Sequence, residues 1–198
     1  MSELWRRQPG RHSLLGLSPG RRGALMAVSQ STIEVNPSQP PKRLGDDLED
    51  ALVATHEPLE GVDDEVCEWH DAYATQLWTP SGRLPFVGIC LVETDVPVEI
   101  KTAQRSTSNG NRQTHGRWYL KRDAHQQLLE AGGVYLLAVY TATAGGDQCR
   151  LLAQLVIPAA LLDDHLADRW YDSGRAEGEV AKLAWQHVIA PSHVEVEA

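Results

Sequence analysis

Apolar and charged residues alternate along Val96-Pro97-Val98-Glu99-Ile100-Lys101-Thr102. That period of two is the mark of a half-buried strand. Side chains two apart on a strand leave it on the same face. Val98 and Ile100 are therefore expected in a core, with Glu99 and Lys101 side by side on the other face. A carboxylate and an ammonium held together on a rigid strand are a chemical pair. Such a pair can hold a divalent cation and a water against a phosphodiester.

The rest of the chain bounds the setting. At 198 residues it can build one domain with a real core. No apolar stretch approaches the ~18 residues of a membrane span, so no membrane association is expected. Cys67, Cys90 and Cys149 form no CxxC and no zinc cluster, and read as free thiols of a reducing cytoplasm. The net charge of −9 excludes a uniformly basic nucleic-acid coat but allows a local basic patch. One basic region is the N-terminal arm with Arg6, Arg7, Arg11, Arg21 and Arg22. Another runs from Lys101 to Arg122. The lysines are only Lys42, Lys101, Lys121 and Lys182. Scarce lysine beside excess acid suggests a halophilic source. It also makes a strand lysine next to a glutamate less ordinary as surface filler.

Residues 1–42 read as a disordered, arginine-containing tail rich in Gly, Pro and Ser, and Met26 is an alternative start. A folded domain is expected over 43–190, with a short tail at 191–198. Helices are expected after Asp46 or Asp47 (carrying Leu48, Ala51 and Leu52) and over 62–77, where Val66, Trp69, Ala72, Tyr73 and Leu77 keep helical spacing. Strands 86–93 and 96–102 read as a hairpin turning at Thr94-Asp95. Residues 104–115 read as a polar loop, and 116–120 as a short strand. A helix over 123–131 closes at Gly132-Gly133. Strands follow over 134–140 and 151–157, then helices over 161–171 and 177–188. The order gives an α/β fold with a mixed central sheet flanked by helices. Trp170, Tyr171 and Trp185 read as core or interface. No P-loop, GxGxxG before a helix, or GxSxG is present.

Glu99-Ile100-Lys101, in this order of elements, resembles the Glu-x-Lys half of the PD-(D/E)xK signature of restriction-endonuclease-like nucleases. The resemblance covers about 65–140 and is nearest to archaeal Holliday-junction-resolvase-like and related groups. It implies a Mg²⁺- or Mn²⁺-dependent endonuclease, a hydrolase of DNA, with a homodimer as the assembly of those that cut both strands. Glu99 and the Ile100 carbonyl would be metal ligands and Lys101 would activate water. The family also requires an acid on the preceding strand, where this chain has Cys90. Asp71 and Glu93 are the candidates for a second metal ligand, with Asp71 preferred because a residue at a turn tip is more often solvated. Glu65 or Glu68 would fill a helical acid position, and Gln104 would line the site. Arg105, Arg112, Arg117, Lys121 and Arg122 are the candidate nucleic-acid contacts, with Trp118 or Tyr119 to pack on a sugar or base and His125 near a phosphate. Without a second acid, the chain would be a degenerate nuclease fold that binds nucleic acid or a protein partner without cleavage.

Overall fold

The computed structural model describes residues 32–63, 65–78, 84–143 and 148–194. In chain order the elements are β1 (Thr32–Ile33), α1 (Pro41–Thr55), β2 (Leu59–Gly61), β3 (Ala72–Ala74), β4 (Phe86–Gly88) and β5 (Pro97–Gln104). Then come β6 (Ser106–Asn109), β7 (Arg112–His115), β8 (Arg117–Lys121), α2 (Arg122–Glu130), β9 (Val134–Ala142) and β10 (Cys149–Pro158). Next are α3 (Ala159–Leu166), β11 (Tyr171–Asp172) and β12 (Glu179–Ala184), followed by short 3-10 helices at Trp185–His187 and Pro191–His193.

The main sheet runs β1-β10-β9-β5-β3-β2, with β4 also on β10. Its centre is β9, buried from Val134 to Tyr140. Such a run needs cover on both faces, and it has it. On one face α1 lays down the stripe Leu44, Leu48 and Leu52 against Val98, Ile100 and Leu136. On the other, Tyr135, Leu137 and Val139 meet Leu128 of α2 and Leu162 and Leu166 of α3. Trp118 and Leu183 of a small sheet, β11-β12-β8, pack there too. The fold is a mixed α/β sheet flanked by helices.

Strand β5 is parallel to β9 along its whole length, Val98 opposite Val134 through Gln104 opposite Tyr140. Helix α2 makes the crossover. It stops at Gly132 (φ +66°) and Gly133, where a Cβ would fall 2.4 Å from Leu128 Cδ1. On its other edge β5 pairs with β3 only at Pro97 and Val98. Beyond Val98 that edge is uncovered by strand.

Several expectations from sequence are corrected. Ordered structure starts well before residue 43, since Thr32–Ile33 pairs with Cys149 and Arg150 and α1 begins at Pro41, which suits a first helical turn. The remainder of the expected N-terminal tail lies outside the described residues. No helix covers 62–77. The Asp63 carboxylate accepts the Glu65 amide, and the Asp71 amide donates to Val98 O. That draws 72–74 into the sheet with alternating burial. Val66 and Leu77, which complete a helical stripe in the sequence, are exposed.

β4 is not the hairpin partner of β5. It lies parallel to β10, and Asp95 (φ +64°) turns the chain into β5 against β3 instead. The polar stretch 106–115 is a β-hairpin, β6-β7. Residues 177–188 hold β12 rather than a helix, because burying Val180, Ala181 and Leu183 against β8 outweighs helical propensity. Near the C-terminus, Val194 is buried rather than part of a tail.

Candidate active site

Even-numbered residues of β5 direct their N–H and C=O groups to the edge that β3 leaves open. Buried backbone donors need partners, and two side chains provide them. The Ile100 amide donates to Asp71 Oδ2 at 2.5 Å, and the Thr102 amide donates to Glu49 Oε1 at 3.2 Å. Asp71 is delivered by the residue just before β3. Glu49 comes from α1, one position past the buried Leu48, so packing of the Leu44/Leu48/Leu52 stripe aims it at β5.

The Lys101 ammonium sits among these groups. It lies 3.0 Å from Glu99 Oε1, 3.2 Å from Glu49 Oε2 and 3.5 Å from Asp71 Oδ2. It also donates to the Ile100 carbonyl at 2.5 Å. Glu99 is buried, and the Lys101 and Glu49 side chains are each 18% exposed. One ammonium thus balances three carboxylates.

Burial dominates the acidities. It pushes Glu99 up to about 8 and Glu49 up to about 7, with Lys101 pulling both down and Asp71 pushing both up. Burial disfavours the charged form of Lys101 too, but the charges of Glu49, Glu99 and Asp71 outweigh it. The ammonium is held well above its ordinary value.

Among the described residues no three Asp, Glu, His or Cys side chains close on a common point as metal ligands. The ammonium stands between the carboxylates. The donor set nevertheless suits a hard divalent cation. It is all oxygen, it includes the Ile100 carbonyl, and once all three acids are ionised the single ammonium leaves two negative charges for a divalent cation to balance.

A family model for the PD-(D/E)XK nuclease superfamily domain matches residues 35–190. The chain belongs to that superfamily. No curated protein and no solved structure matches it.

Within this PD-(D/E)XK domain, the structure brings Glu99, Lys101, Asp71 and the Ile100 carbonyl together. Glu93 does not join them and is exposed on the turn before β5. Glu65 and Glu68 are exposed on the irregular segment before β3. Glu49 is not among the sequence candidates, because the helical spacing of 62–77 points to Glu65 or Glu68 as the helical acid and that helix does not form. The signal was its place beside the apolar stripe of α1. Cys90 is not the residue facing Glu99; its amide bonds Val156 O. Gln104 ends β5 against Gly116, where a Cβ would fall 1.8 Å from Gln104 O.

The candidate nucleic-acid contacts divide. Arg112, Arg117 and Lys121 are exposed on β7 and β8, and Arg105 is half-buried after β5. Arg122 is committed to Glu179 at 2.6 Å and lies over the Trp170 ring. Trp118 is core, its indole donating to Ala138 O, and Tyr119 donates to Glu177. His125 is buried between the Tyr135 hydroxyl and Asp163. Trp185 is buried as expected, whereas Tyr171 is exposed.

Proposed function

We propose that this domain is a metal-dependent nuclease that hydrolyses phosphodiester bonds in DNA. The observation that carries this reading is the convergence of Glu49, Asp71 and Glu99 on the Lys101 ammonium at the open edge of β5. Asp71, just before β3, with Glu99 and Lys101 of β5 supports a full set of two acids and a lysine rather than half a signature. Asp71 beside β5 supports this reading over a degenerate site, because it offers the second acid that Cys90 does not.

Asp71, Glu99 and the Ile100 carbonyl would hold Mg²⁺ or Mn²⁺, which supplies polarisation of a phosphoryl oxygen and a more acidic water. The protein side chains divide the remaining work. Lys101 offers a fixed positive charge to the phosphate oxygens as negative charge builds on them. Glu49, raised to about 7 by burial, is suited to take a proton from water near neutral pH. The backbone bonds from Ile100 and Thr102 fix Asp71 and Glu49, so their carboxylates need no reordering when substrate arrives.

The test is cleavage of duplex DNA, single-stranded DNA and RNA in Mg²⁺, in Mn²⁺ and in EDTA, with Lys101→Met beside the parent. Metal-dependent cutting of DNA by the parent and none by Lys101→Met is the expected result. Equal cutting by both overturns the assignment. Binding without cutting by the parent replaces it with the non-cleaving reading, and preferential cutting of RNA reassigns the substrate.

A further inference from the structure

The described surface holds a concentration of positive charge on the small sheet. A recess of about 480 Å³ is lined by Arg117, Arg169 and Lys182, by His115 and His187, and by neutral residues that include Gln113 and Gln186. No carboxylate lines it. Among the described residues, no carboxylate forms an ion pair with Arg117, Arg169 or Lys182. On a chain of net charge −9, three unneutralised cations around one recess need an explanation. A solvated cationic face on so acidic a protein would ordinarily find acids among its neighbours.

The cations are also held in place. Lys182 Nζ lies 5.8 Å from the ring centroids of both Tyr119 and Tyr171. Two aromatic faces restrict that side chain and leave its ammonium free to donate. Arg169 Nε donates to His165 O, which leaves the outer guanidinium nitrogens for a ligand. Arg117 and Lys182 leave the same outward face of β8 and β12, on register rows two apart. A ligand that matches this lining is anionic, rich in oxygen acceptors and without cations of its own.

The recess is coupled to the end of β5. Gly116, between His115 and Arg117, packs its backbone on Gln104, three residues past Lys101. Trp185 closes the joint, its indole donating to Arg105 O and its amide to Gly116 O. Three residues of strand span about 10 Å. The carboxylate cluster and the wall of the recess are thus separated by only a few ~3.4 Å steps of a duplex strand.

We propose that the recess formed by Arg117, Arg169 and Lys182 binds the phosphodiester backbone of the nucleic acid, away from the bond being cut. This rests on the nuclease reading for its ligand but involves none of the residues of the carboxylate cluster. Guanidinium and ammonium groups grip phosphate oxygens without reading bases, so the recess supplies affinity and orientation rather than sequence preference.

The experiment is fluorescence anisotropy of a labelled DNA duplex and the matching single strand, titrated with the full chain over a salt series in EDTA. Parent, Arg169→Gln/Lys182→Gln, the charge-retaining Arg169→Lys/Lys182→Arg, and Lys101→Met are compared, each checked by thermal melting. The Gln pair should lose at least 10-fold in affinity at ~0.1 M salt. The slope of log affinity against log salt should fall by about 2, one for each phosphate contact removed. The charge-retaining pair should bind within a few-fold of the parent. Parent-like affinity and slope in the Gln pair overturn the proposal, as does a parent that binds neither strand form. Competition by millimolar inorganic phosphate alone, equal in parent and Gln pair, also overturns it. If the Gln pair loses binding as described while the parent cuts nothing in Mg²⁺ or Mn²⁺, the recess stands and the nuclease reading falls.

Discussion

The Asp71 carboxylate accepts the amide N–H of Ile100 at 2.5 Å, and so an acid 28 residues before Glu99 is fixed beside it by the backbone of the strand that carries Glu99. The same oxygen lies 3.5 Å from Lys101. Asp71 therefore serves two ends. It satisfies a strand edge that β3 leaves bare, and it brings a third acid to the Lys101 ammonium.

That arrangement changes what Lys101→Ala should do. On sequence alone the substitution removes catalysis and leaves the fold nearly untouched. In the structure it also removes the one ammonium between three carboxylates. Leaving half-buried carboxylates uncompensated should cost roughly 3 kcal/mol at pH 8. Lowering the pH to about 6 should recover part of it, since Glu49 and Glu99 can then take up protons. Denaturant unfolding of parent and variant at both pH values checks this. Equal stability at pH 8 would mean that Lys101 does not balance the cluster.

Glu49 was legible only in hindsight, and the reason is physical. The stripe Leu44, Leu48, Leu52 identifies the buried face of α1, but it does not say which strand that face meets. Sequence placed Glu99, Lys101 and the α2–β9 crossover well because each depends on local signals: alternation, a double glycine, a continuous apolar run. It failed from 62 to 77, where Val66, Trp69, Ala72, Tyr73 and Leu77 mimic a helical period while β5 recruits 72–74 into the sheet. It failed again at 177–188, where pairing with β8 decides the state. Long-range pairing has no signature in a short window.

Glu49→Gln isolates the helical acid. The amide oxygen of Gln can still accept the Thr102 N–H, so the local geometry should survive. Removing a buried anion from an over-acidic cluster should leave stability unchanged or raise it by about 1 kcal/mol at pH 8. Cleavage should fall by roughly 10²-fold if Glu49 moves the proton of the attacking water. Loss of cleavage together with loss of stability would instead make Glu49 a structural cap of β5. Rates and melting curves of the same preparation separate the two.

The metal-free protein should be most stable slightly below neutral pH. Glu99 and Glu49 are raised in the native state to about 8 and about 7. Between their unfolded values and those values the native chain binds more protons than the unfolded chain, so stability falls as pH rises to 8. His56, His70 and His125 are lowered by burial. Below about 6.5 the unfolded chain binds more protons at these residues, so stability falls as pH drops. Melting temperatures in EDTA from pH 5 to 9 should trace this maximum. In Glu99→Gln the alkaline limb should flatten, and an unchanged limb would reject Glu99 as its source.

Divalent cations should reverse the alkaline limb. A cation that binds the native cluster stabilises it by an amount that grows with concentration over the dissociation constant, about 2.7 kcal/mol at a hundredfold excess. Binding also releases the protons held on Glu99 and Glu49, so the gain should be larger at pH 8 than at pH 6. Mg²⁺ or Mn²⁺ should therefore raise the melting temperature most where the metal-free protein is weakest. Glu99→Gln and Asp71→Asn should each lose most of that rise, while Glu93→Gln, on the exposed turn before β5, should keep it. A rise that Asp71→Asn retains in full would remove Asp71 from the cation site and reopen the choice of the second acid.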